Sequence, residues 1–232
     1  MKILAISDEV VDFIYSPLVK EHYADVDLVL GCGDLPFYYL EFVVTVLNVP
    51  LYYVPGNHDR LAQYHADGRV VHRAEGCEPL DARTACFPDR TYQLPSPETS
   101  VGDQPGLLLA GLGGSMRYNQ DTGPQHTEGE MLGRALSLAP QLFANRLRHG
   151  RALDILVTHA PPRGIHDADD LAHTGFQTFC TFMDVFRPRL LLHGHSHVYR
   201  NDTVTSTRYK DTQVINVYPY RIIEWPPVPH EG

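Results

Sequence analysis

Asp8, Asp34, Asn57, His159, His195 and His197 each lie at or just beyond the end of a short apolar run, and four of these runs close on glycine or proline. Such residues permit the sharp turns that let a loop present a side chain. The donors are carboxylate, amide and imidazole, with no thiolate among them. That mixture suits manganese, iron or zinc better than calcium or copper(I). A shared carboxylate can hold two cations about 3.5–4 Å apart, the arrangement used for phosphoryl transfer. His58 and Asp59, directly after Asn57, add groups able to move a proton.

These residues need a scaffold that delivers them to one place. Residues 2–7, 27–30, 51–54, 107–112, 153–157 and 190–192 read as buried strands, and 203–207, 213–217 and 220–224 as short β segments. Helices are expected from Ser16-Pro17 onward, over 37–47, from Thr127 to about His149, and near 174–186. Thr127 with Glu130 forms a capping-box signature. Pro140 is expected to break or kink the third helix. The alternation predicts a layered α/β domain with the polar strand ends on one sheet edge, where such folds bind ligands. Residues 66–100 are less regular, and Leu94-Pro95-Ser96-Pro97 reads as a surface loop.

A length of 232 residues suits one domain spanning 1–232. The formal charge of −9, from 28 acids against 19 bases, disfavours polymeric nucleic acid and anionic membranes as partners. No apolar run approaches the roughly 18–20 residues of a membrane span. The stretch Ile3–Ile6 is too short for a signal peptide, so a cytoplasmic location is expected. Cys32, Cys77, Cys86 and Cys180 lack CxxC spacing and read as buried thiols of a reducing compartment.

In order along the chain, SDE at 7–9, GD at 33–34, GNHD at 56–59, THAPP at 158–162 and GHSH at 194–197 resemble the calcineurin-like metallophosphoesterase family. The resemblance runs from residue 3 to residue 197, and GNHD with GHSH is its specific part. It implies a four-layer αββα sandwich with two central mixed sheets and a dinuclear site on their edge. By position, Asp34 would bridge two divalent cations, with manganese favoured and zinc or iron as alternatives. Asn57, His159 and His195 would complete one site, and Asp8 and His197 would belong to the other. His58 would donate a proton to the leaving oxygen or stabilise developing charge, and Asp59 would orient it.

One block departs from the family. Where Asp-x-His is usual, this chain has Asp8-Glu9-Val10, so on an extended segment Val10 would occupy the place of an imidazole. A branch of the family supplies a tyrosine from a GDxxY block instead, but here Phe37 holds that place and Tyr38 comes one residue late. The first site is therefore expected to bind metal more weakly, with Glu9 contributing if the chain turns after Asp8. Arg117 could clamp a phosphate and Asn119 line the substrate site, against the plainer reading of a glycine-rich surface loop. His193 reads as structural, and His166 and His173 as exposed loop residues with pocket lining as the alternative. The function this implies is hydrolysis of small phosphoesters, a diesterase favoured and nucleotides included. The alternative is a catalytically weak or inactive scaffold of the same fold that binds proteins.

Overall fold

The computed structural model describes residues 1–60, 62–64, 68–87, 106–120, 123–200 and 202–227. The expected loop at Leu94–Pro97 lies outside them. Along the first half run β1 (Lys2–Ile6), α1 (Leu18–His22), β2 (Leu28–Gly31), α2 (Phe37–Leu47), β3 (Leu51–Tyr53), β4 (Gln63–Tyr64), β5 (Val70–Val71), β6 (Glu78–Pro79) and β7 (Arg83–Phe87). There follow β8 (Leu107–Leu112), β9 (Ser115–Met116), β10 (Gln125–His126), α3 (Glu128–His149) and β11 (Ile155–Thr158). The last elements are α4 (Gln177–Phe186), β12 (Leu190–His193), β13 (Ser206–Tyr209), β14 (Thr212–Asn216) and β15 (Tyr220–Glu224).

Successive side chains of a strand point to opposite faces, and here both faces are apolar. Ile3 and Ala5 of β1, Leu28 and Leu30 of β2, Leu107 and Leu109 of β8, and Ile155 and Val157 of β11 share one cluster. Leu4, Ile6 and Val29 pack outward with Leu40 and Val43 of α2. Leu108, Ala110, Leu156 and Leu191 pack outward with Met131, Leu138 and Leu142 of α3 and Phe179 and Met183 of α4. Two sheets thus meet across an inner core, and helices cover their outer faces, as the sandwich requires.

One sheet has the order β15-β1-β2-β3-β6, the other β13-β14-β12-β11-β8-β7. Both are mixed. β15 lies antiparallel on β1, while β13 and β7 are the antiparallel edges of the second sheet. The parallel strands between them, β1-β2-β3 and β8-β11-β12, direct their C-terminal ends to a common rim.

Three expectations need correcting. Pro140 does not end α3, which runs unbroken to His149. Pro140 and Leu136 face solvent while Met131, Ala135, Leu138 and Leu142 are buried on the opposite stripe, so packing holds both halves and water can solvate the carbonyl that proline leaves without a donor. The helix expected near 174 starts at Gln177, and that expected from Ser16-Pro17 is a single turn from Leu18. The capping box is formed: Thr127 Oγ1 accepts from the Glu130 amide, and the Glu130 carboxylate accepts from the Thr127 amide.

Candidate metal centre

Asp34, His159 and His195 bring one ligand atom each to within 4.8 Å of one another. They come from the ends of β2, β11 and β12, across both sheets. Asn57, after β3, joins them: its Oδ1 lies 2.9 Å from His159 Nε2, and Asp34 Oδ2 lies 3.4 Å from the same nitrogen. His159 is fully buried, and its Nδ1 donates to the Cys32 carbonyl at 2.9 Å, which fixes the tautomer and turns Nε2 inward. Nε2 therefore faces two oxygens that are both acceptors. Only a proton or a cation can occupy such a point, so the residues fit the group that the sequence implies. The Asn57 amide is oriented for this because its Nδ2 donates to the Tyr118 hydroxyl at 3.2 Å.

Backbone shape matters as much as side-chain type. Asp8, Asp34 and His195 all adopt left-handed conformations, with φ of 64°, 56° and 64°. For non-glycine residues this costs about 1–3 kcal/mol each and persists only where surrounding contacts enforce it. Glycine precedes two of them for a steric reason. A Cβ on Gly33 would run into the His159 ring, and one on Gly194 would meet the Ser7 hydroxyl and the Asp8 carboxylate.

Backbone donors complete the seating. Asp34 Oδ1 accepts from the His58 amide at 2.8 Å. Asp8 accepts from the His195 amide through both oxygens, at 3.1 and 3.0 Å. His195 Nε2 donates to the Ala172 carbonyl at 2.8 Å, leaving Nδ1 as its free lone pair. His197 Nε2 stands 3.6 Å from Asp8 Oδ1, and its ring stacks on Tyr218 with centroids 4.6 Å apart.

The charges respond to one another. Burial would raise the Asp34 carboxyl, but His159 and the His58 amide hold it down at about 2. Burial would lower His159, but Asp34, Asp8 and the Cys32 carbonyl raise it to about 9. His195 falls to about 4 because it is buried beside the His159 charge. Burial, with Asp8 nearby, keeps the Cys32 thiol protonated, so no thiolate competes as a ligand.

A sequence profile of the calcineurin-like phosphoesterase family matches residues 1–199, and the chain belongs to that family. The fold is similar to that of a solved structure described as TT1561 of Thermus thermophilus, with a TM-score of 0.56 at 15% identity, covering 93% of this chain and 88% of that one. A second solved structure gives the same TM-score at 13% identity, covering 96% of this chain and 94% of the other. No curated protein gave a significant match. Membership carries the class with it: metal-dependent phosphoester hydrolases. Among the described residues, no helix is long and apolar enough to cross a membrane.

Several expected roles change. Asp59 does not orient His58. Its Oδ2 accepts from the amides of Asp34 and Gly56, at 2.9 and 2.8 Å, so it supports the backbone that carries Asp34. Burial raises this carboxyl to about 7. The Arg117 guanidinium, expected as a possible phosphate clamp, is held by Glu130 at 2.8 Å and by the Gln125 carbonyl. The Asn119 side chain accepts from Gln125 Nε2 at 2.6 Å and so stiffens its own turn.

Val10 does not stand where an imidazole was expected. The chain turns at Asp8, with the Glu9 amide on the Ser7 carbonyl, and Val10 packs against the outer helical cluster. Glu9 accepts from the Tyr218 hydroxyl at 3.0 Å instead. Phe37 is buried in the outer cluster, and Tyr38 packs edge-on against Tyr15, so neither reaches the site. Two tyrosines stand beside His197, Tyr218 stacked on the ring and Tyr199 with its hydroxyl at Nδ1, and the motifs gave no reason to select either.

The loop after Pro161-Pro162 is more engaged than its composition suggests. His166 is partly buried, with Nδ1 2.9 Å from His193 Nε2 and Nε2 2.9 Å from the Thr207 hydroxyl. His193 is fully buried and donates from Nδ1 to the Gly194 carbonyl. His173 keeps its partner Asp170 at 2.8 Å, and its ring lies 5.2 Å from that of His195.

Proposed function

We propose that the chain is a phosphodiesterase for small substrates, nucleotides included, working through two divalent cations, with manganese favoured. The observation that carries this reading is the convergence of Asp34, Asn57, His159 and His195 on one point lined by acceptors. Asp34 would serve both cations, with Asn57, His159 and His195 on one side and Asp8 and His197 on the other. When bound, the cations supply Lewis acidity and ionise a water near neutral pH for in-line attack.

The chain's own groups do the rest. The His58 amide is anchored on Asp34 and its imidazole is exposed; that imidazole would protonate the leaving oxygen. Asn57, Tyr118 and the carbonyl of Ala172 hold the ligand atoms so that they need little reorganisation. A diester fits better than a monoester because, among the described residues, the groups facing the centre offer no free guanidinium: Arg117 is tied to Glu130. A monoester dianion would want one. The chain's net charge of −9 supports small substrates over polymeric nucleic acid, and the whole chain is taken as one domain in the cytoplasm.

Turnover of bis-aryl against mono-aryl phosphates, with manganese, zinc, iron and magnesium in turn, tests the proposal. The diester should be hydrolysed faster, with manganese the best activator. A wide monoester preference overturns the diesterase assignment, and inactivity with every metal favours the protein-binding scaffold.

A further inference from the structure

Behind the turn that carries His58 lies a cavity of about 350 Å³ that none of the proposed metal ligands lines. Its size is in the range of small-ligand pockets. One wall is apolar, where Phe37 and Tyr53 meet edge to face with centroids 6.2 Å apart, flanked by Pro55 and Pro79. The rest of the lining carries Arg60, Arg73 and Arg83, all exposed. No carboxylate lies within ion-pair distance of these three guanidiniums among the described residues, whereas Arg134, Arg151 and Arg200 are held by Asp81, Asp154 and Asp202.

The two acids among the described residues of the lining are occupied elsewhere. Asp59 accepts from the amides of Asp34 and Gly56, and Asp81 accepts from the Gly113 amide and from Arg134. In a chain with 28 acids against 19 bases, three guanidiniums gathered around one cavity run against the overall charge. Guanidinium forks match phosphate oxygens, and flat rings offer a surface for a planar group. We infer that this cavity binds a small organic phosphate, with the anion held by Arg60, Arg73 and Arg83 and its planar part against Phe37 and Tyr53.

This site is independent of the catalytic reading, so its test needs neither metal nor turnover. Full-length protein kept in EDTA is titrated calorimetrically with AMP, inorganic phosphate and adenosine. AMP should bind saturably, and at least about tenfold more tightly than either fragment, a difference of about 1.4 kcal/mol. Replacing Arg73 and Arg83 together by glutamine should weaken AMP by about tenfold or more. Replacing Arg146 and Arg148 at the end of α3 removes the same charge elsewhere and should leave binding unchanged. The inference is overturned by absence of saturable AMP binding, by equal affinity for AMP and inorganic phosphate, or by AMP affinity that survives the Arg73/Arg83 change. Loss of AMP binding in Asp34→Asn with Arg73 and Arg83 intact would equally move the ligand to the metal cluster.

Discussion

His159 is wholly buried, whereas 41% of the His197 side chain is open to solvent. Around His159 each donor is held by a second partner: Cys32 for the imidazole, Tyr118 for Asn57, the His58 amide for Asp34 and Ala172 for His195. Around His197 the supports are surface aromatics, Tyr218 stacked on the ring and the Tyr199 hydroxyl 2.8 Å from Nδ1. Asp8 joins the two halves, its side chain 1% exposed while facing His197. The difference teaches that only one half is preorganised. Metal should hold tightly where ligands are fixed before it arrives and weakly where they must be ordered on binding.

The largest effect is expected from Asp34, which the proposed function assigns to both cations. Asp34→Ala should reduce metal affinity beyond the roughly 10–100-fold typical of outer partners, and abolish hydrolysis. Calorimetric titration of stripped protein with manganese, beside bis-aryl phosphate turnover, checks this. Two ions retained with near-normal turnover would break the comparison at its root.

His58 tests chemistry apart from metal retention. His58→Ala should lower kcat by about 10²–10⁴-fold, the range for a lost general acid, while metal stoichiometry stays unchanged. A variant that loses its metals as well would make His58 part of the scaffold instead.

The preorganised half also predicts a pH dependence that metal should erase. In metal-free protein the imidazole of His159 is raised from 6.5 to about 9 and the carboxyl of Asp34 lowered from 3.8 to about 2, two sides of one ion pair. A raised histidine stabilises fully below its unfolded value, and that contribution is lost as pH rises through about 9. The lowered carboxyl contributes above 3.8 and loses its contribution as pH falls through about 2. Asp59, raised to about 7, holds its proton more tightly when folded, so its part of the stability declines from pH 3.8 to 7. Thermal melts in EDTA should therefore fall between pH 6.5 and 9, and melts in manganese should not. Apparent manganese affinity should rise about tenfold per pH unit up to 9, because one proton leaves as the ion binds. A pH-independent affinity would remove His159 from the ligand set.

The preorganised half was the more legible one in the sequence. Gly33-Asp34, Gly56-Asn57 and Gly194-His195 stand in dense motifs because the close approach of one loop to another excludes a Cβ, and that exclusion leaves glycine before each of these three ligands. Strand positions were equally readable, since apolar runs such as Leu107–Leu112 are required wherever both faces of a sheet are covered. Supporting contacts left no such trace. Tyr218 and Tyr118 reach the site from turns far along the chain, and nothing local marks a tyrosine whose partner is 21 or 61 residues away. Val10 was misread for a related reason: the period-two rule fails at Asp8, where a left-handed φ of 64° ends the strand. Arg117 looked like a clamp in isolation, and only folding set Glu130 against it.

The smallest and most selective effect concerns Tyr218. Its ring lies almost parallel to that of His197, at 17°, and its hydroxyl is fixed by Glu9. Such aromatic contacts are worth about 0.5–1.5 kcal/mol beyond burial, which corresponds to roughly two- to tenfold in affinity. Wild-type protein should bind manganese in two unequal steps, and Tyr218→Leu should weaken only the looser step by that factor. Tyr218→Phe keeps the stack but releases Glu9, so it should lie closer to wild type. Two equally tight steps in the wild type would show that the exposed half needs no such support. A Tyr218→Leu effect on the tight step instead would mean that the stack braces Asp8, and through its carboxylate the amide of His195, and not His197 alone.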